Sequence, residues 1–106
     1  MKIMPACNDP RLKLALKYVA LESPEWANAG GHFLYISDAG DYSSDQNYRS
    51  VEEWAESEPL RTRPPVMLIH GYAAPHQIVV STITSIRELG FEKLGIKQID
   101  DYDQRQ

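Results

Sequence analysis

Apolar and polar positions alternate along this chain with two different periods, and the switches between them mark its elements. Leu12, Ala15, Leu16 and Val19 recur at spacings of three and four, with Arg11, Lys13 and Lys17 off that stripe. This is the pattern of an amphipathic helix, predicted over 10–22. Asn8 or Asp9 followed by Pro10 supplies a capping oxygen and a proline suited to the first helical turn. Ser23-Pro24 ends the helix, because a residue before proline avoids the α region. Residues 25–31 read as a loop closing on Gly30-Gly31. His32–Ser37 is short, aromatic and β-branched, and reads as a strand. Its period of two places Phe33 and Tyr35 on one face and Leu34 and Ile36 on the other. Residues 38–47 are turn formers with little to bury and read as a polar loop.

Ser50-Val51-Glu52-Glu53 has the form of a capping box. The helix it opens runs to about Ser57, with Val51, Trp54 and Ala55 inward, and Glu58-Pro59 stops it. Val66-Met67-Leu68-Ile69 is apolar without alternation, as in a strand covered on both faces or a central one. A turn around Gly71 leads to a helix from His76 to Leu89, with Val79, Ile83 and Ile86 buried and Gly90 placed for a left-handed cap. In 93–99, Leu94 and Ile96 alternate against Lys93 and Lys97, which predicts a last strand. The expected fold is therefore α+β, in the order α-β-α-β-α-β. It has a small mixed sheet, helices packed on one face and a C-terminal β-α-β unit. The domain expectation is a single unit over 1–106, with a flexible arm at 1–8 and a flexible tail at 100–106.

Composition narrows the function. The 106 residues are 42% hydrophobic and 25% charged, in the range of a globular domain. The net charge is −4, and the eleven basic residues are scattered. Nucleic-acid binding draws on clustered Lys and Arg, so these read as solvated surface charges and no nucleic-acid partner is expected. The single cysteine, Cys7, excludes an internal disulfide and has no local pattern that would make it a nucleophile. No apolar run reaches the roughly 20 residues that span a bilayer. The chain reads as soluble with no membrane segment, and an anchor upstream remains compatible with an excised fragment.

Several local patterns invite a chemical reading. Val66 to Tyr72, with His70-Gly71, resembles the strand that opens the oxyanion hole of α/β-hydrolases. That chemistry also needs Gly-x-Ser-x-Gly and a histidine after it, and neither exists here. Asp38-Ala39-Gly40-Asp41 lacks the alternating oxygens and closing glutamate of a calcium loop. His70 and His76 flank one turn, but His32 lies on a separate strand, so no metal site is expected. The glycines lack the lysine and helix-opening context of a phosphate loop. No cofactor and no enzymatic activity are expected. Six Tyr and two Trp are many for this length. Trp54 and Tyr35 read as core, while Trp26 and Tyr42, placed in loops, read as binding anchors or local packing.

From His32 to Ile99 the chain resembles the soluble domain of the ExbD/TolR biopolymer-transport family. The resemblance rests on Ile78-Val79-Val80, Ile83, Ile86, Leu89-Gly90-Phe91 and Leu94-Gly95-Ile96. Phe33 to Ile36 and Val51 to Ser57 stand for that domain's earlier strand and first helix. His70-Gly71 and His76 stand where the family carries Ala-Asp and an aromatic residue, and residues 1–31 have no counterpart. The resemblance implies a non-enzymatic, dimerising module that couples a proton-driven motor of the inner membrane to a periplasmic partner. It implies a periplasmic location; otherwise the chain reads as cytoplasmic. A protein partner, a second copy included, would pair with an edge strand, either His32–Ser37 or Lys93–Ile99. The partner-binding candidates are Phe33, Tyr35, His70, Tyr72, His76, Lys93 and Lys97. Two alternatives stay open: a stand-alone interaction or regulatory domain of another family, and a small enzyme or metal-binding protein using His70 and His76.

Overall fold

In the computed structural model, residues 10–99 are described, and of Pro10 and Arg11 the backbone alone. Cys7, the arm at 1–8 and the tail at 100–106 lie outside them. The chain runs α1 (Pro10–Glu22), α2 (Pro24–Asn28), β1 (His32–Ile36), β2 (Tyr42–Ser43), β3 (Asn47–Tyr48) and α3 (Val51–Ala55). A 3-10 turn (Glu58–Leu60) leads to β4 (Val66–His70), α4 (His76–Glu88) and β5 (Leu94–Gln98). The five strands form one mixed sheet in the order β3-β2-β1-β4-β5. β1, β4 and β5 run parallel, in a register that matches Leu34 with Leu68 and Leu68 with Ile96. β2 turns back against the end of β1, and β3 against β2. The α+β class and the C-terminal β-α-β unit stand as the sequence predicts.

Each local start has a physical cause. Ser50 is extended, and its hydroxyl accepts from the Glu53 N–H at 3.1 Å. Glu53 returns the bond one residue further out, accepting from the Arg49 N–H at 2.7 Å. α4 ends where Gly90 turns to φ +100°, a conformation that side chains with a Cβ resist.

The expectation of helices on one face is corrected by the packing. Leu34, Ile36, Val66 and Leu68 pack with Val51 and Trp54 of α3 and with Val79 and Ile86 of α4. Tyr35, Met67 and Ile69 point the opposite way and pack with Leu12, Ala15 and Val19 of α1 and with Ile99. The sheet is therefore covered on both faces. The reason is already present in β4, whose residues Val66 to Ile69 are all buried. A strand with no polar face needs a cover on each side, and each fully buried large apolar side chain contributes about 1.5–3 kcal/mol.

Two further corrections concern loops. Residues 25–31 contain α2, opened by Pro24. The polar stretch 38–47 contains β2 and the start of β3, which form a hairpin ending at Tyr48. Its anchors are two tyrosines: Tyr42 shares a hydroxyl bond of 2.9 Å with Thr82 of α4, and Tyr48 donates to Asp45 at 2.8 Å. Arg63 also departs from the reading of scattered surface charge. It adopts φ +55°, and its guanidinium donates to the carbonyls of Leu89 (2.7 Å), Leu60 (2.8 Å) and Ala55 (3.3 Å). The same group lies 4.8 Å from the centre of the Phe91 ring, which stacks on Trp54 at 5.4 Å. Arg63 thus ties α3, the 3-10 turn and the end of α4 to the core.

Candidate functional site

The strand order decides which segment is open to a partner. β1 lies between β4, which pairs along its whole length, and β2, which pairs at Tyr35 and Ile36, so the His32–Ser37 segment expected as an edge is an interior strand. β5 has β4 as its single neighbour among the described strands. The Val66 N–H donates to Lys93 O at 2.9 Å, and the Ile99 N–H donates to His70 O at 2.8 Å. In a parallel ladder alternate residues serve one neighbour. Lys93, Gly95, Lys97 and Ile99 therefore turn their backbone groups toward β4. Leu94, Ile96 and Gln98 turn theirs outward, where an added strand would meet them.

The side chains along β5 divide by face. Leu94 packs against the α3–α4 core, and Ile96 on the same face is 43% exposed. Leu21, Tyr72 and Val80 are the other exposed large apolar residues among those described, and none lies on a strand. On the opposite face Lys97 reaches the Glu22 carboxylate of α1 at 3.5 Å. Gly95 faces the same way, with no side chain. A Cβ there would stand 2.6 Å from the Met67 sulfur, closer than real contacts allow.

Met67 fills that space, and an open groove of about 720 Å³ runs beside the first half of β5. Glu22, Glu25 and Trp26 line it from the α1–α2 corner, with Glu92, Lys93 and Gly95 on the β5 side and Met67 between. Lys97 already pairs with Glu22, and Glu25 and Glu92 against Lys93 leave the groove an acidic balance. Sequence pattern alone does not reveal the groove, because the residues of α2 carry the signals of a loop. The one available signal was glycine at a strand position flanked by Leu94 and Ile96, which marks a close approach.

Of the sequence candidates, only Lys93 and Lys97 belong to this edge. Tyr35 is buried and Phe33 half-buried, both on the α1 side of the sheet and away from this edge. Tyr72 is 74% exposed in the β4–α4 turn. His76 is exposed at the first position of α4, and His70 is half-buried at the end of β4. The His70 Nδ1 lies 3.0 Å from the Gly71 carbonyl, where an Nδ1–H donates to it. The turn is held instead by Asp38, whose carboxylate accepts from the Ala73 N–H at 3.0 Å and fills the space that a side chain at position 71 would need. Among the described residues, no group of three or more His, Cys, Asp or Glu side chains could hold a metal ion. None of their helices is long and apolar enough to cross a membrane.

A scan against protein-family models finds no match to this chain, and a search of curated proteins finds none either.

Proposed function

We propose that this domain is a non-enzymatic interaction module that recruits a protein partner by strand addition at β5. The observation that carries the proposal is the outward-facing backbone of Leu94, Ile96 and Gln98 beside an exposed Ile96 and an open groove. Strand addition supplies affinity through main-chain bonds, and side-chain pockets supply selectivity. The acidic balance of the groove favours a partner segment that brings a Lys or Arg to Glu25 and Glu92. Lys93 and Lys97 point off the edge toward the α1 face, so they guard the strand without blocking it.

The ExbD/TolR-like identity is a narrower form of the same proposal. It draws on the run from α4 through Gly90-Phe91 into Leu94-Gly95-Ile96, and on a mixed sheet that ends in an open strand. The α1 cover on the second face departs from the one-faced sheet of that reading. That departure favours a stand-alone interaction domain, and a second copy is one partner it admits.

Photo-crosslinking in host cells tests the edge. A benzophenone side chain at Ile96 is expected to give a discrete adduct, and one at Val80 on α4 none. The adduct should disappear when Gln98, whose N–H faces outward, is replaced by proline. An adduct of twice the chain's 12.1 kDa identifies a second copy, and another mass a different protein. No adduct from Ile96, or the same adduct from Val80, overturns the proposal.

A further inference from the structure

Two strands away from the open edge, the sheet has a gap. β2 pairs with β1 only at Tyr35 and Ile36. Beside Phe33 a hydroxyl takes the place of a strand, with Ser44 Oγ donating to the Phe33 carbonyl at 2.7 Å. A pocket of about 360 Å³ opens at this gap, within the general size range of small-molecule sites. Aromatic residues of both cores line it: Trp26 and Phe33 from the α1 side, Tyr48 and Trp54 from the α3 side. The lining carries one carboxylate, Asp45, and one imidazole, His32, and among its described residues no Lys or Arg.

The rings are fixed before any ligand arrives. Trp26 donates its indole N–H to the His32 carbonyl at 3.0 Å. Its ring also lies against Gly31 so closely that a Cβ there would collide with it. Trp54 is held by its stack on Phe91, and Tyr48 by its bond to Asp45. Burial and the neighbouring Asp45 raise the Tyr48 pKa, so the phenol stays neutral at ordinary pH.

Aromatic faces carry negative electrostatic potential, and a carboxylate at the same mouth adds to it. Such a site repels anions and gives a neutral apolar ligand only the gain of burial. We propose that this pocket binds a small organic cation with a tertiary or quaternary ammonium head. Its methyl groups would contact the rings while Asp45 balances the charge. The proposal does not rest on the β5 edge, although Trp26 lines both grooves.

Trp26 and Trp54 are the only tryptophans in the chain and both line this pocket, so intrinsic fluorescence responds to its filling, and a variant at Asp45, which the β5 groove lacks, separates the two sites. Titration of the full chain with choline should give a saturable change. Its uncharged carbon isostere, 3,3-dimethyl-1-butanol, should bind roughly three- to thirty-fold more weakly. Asp45→Asn keeps an acceptor for the Tyr48 hydroxyl and removes the charge. It should weaken choline by about five-fold and leave the isostere unchanged. Equal binding of choline and the isostere, an unchanged choline affinity in the folded Asp45→Asn protein, or no saturable response to choline overturns the proposal.

Discussion

Gly71 shows how a single residue fixes a turn. A Cβ at this position would occupy the place of the Asp38 carboxylate, which holds the Ala73 N–H. Gly71→Ala must displace Asp38 and break that bond. It should cost about 1–3 kcal/mol, through overpacking and a lost charge-assisted hydrogen bond. A thermal melt of the variant checks this. Tyr48 makes a prediction about pH. Its folded pKa is raised above 10.0, first by burial and then by Asp45. A group whose pKa rises on folding contributes stability that is present below its unfolded value and lost as pH climbs through the folded one. The protein should therefore lose stability above pH 10, and Tyr48→Phe should lose less over the same window. Denaturant melts at pH 8 and at pH 11 compare the two, and an equal alkaline loss in both proteins contradicts the assignment.

The elements differ in how far the sequence foretells them. α1 runs from Pro10 to Glu22 as predicted, because proline brackets it at both ends and its stripe is regular. The unbroken apolar run of β4 also reads correctly as a strand covered on both faces. The β2–β3 hairpin does not, because its strands are two residues each and its buried side chains include Ser43 and Ser44, which look like loop. Periodicity says which face of an element is apolar and not which neighbour it meets. Hence the facing of Phe33 to Ile36 was legible while the central place of β1 and the side taken by α1 were not. Arg63 reads as surface charge in the sequence for the same reason. Its value lies in three carbonyls from separate elements that only the fold assembles. Lys has a single charged tip and cannot span them. Arg63→Lys should therefore destabilise by about 2–3 kcal/mol, which chemical denaturation would measure.

For the molecule as a whole, the candidate site was half legible. Lys93 and Lys97 placed it on the last strand, while the groove beside it depends on α2, Met67 and Gly95 meeting in space. With both sheet faces covered, β5 offers the longer open edge, five residues against the two of β3 at the other end of the sheet. The account rests on that alternation, and residue-resolved amide hydrogen exchange tests it most directly. In the dilute domain the amides of Gly95 and Lys97, bonded to β4, should be protected, and those of Leu94, Ile96 and Gln98 should exchange fast. Adding the crosslinked partner, or raising the concentration if that partner is a second copy, should slow those three selectively. Uniform protection across Leu94 to Gln98 in the dilute domain, or no selective slowing with the partner present, would contradict the central claim.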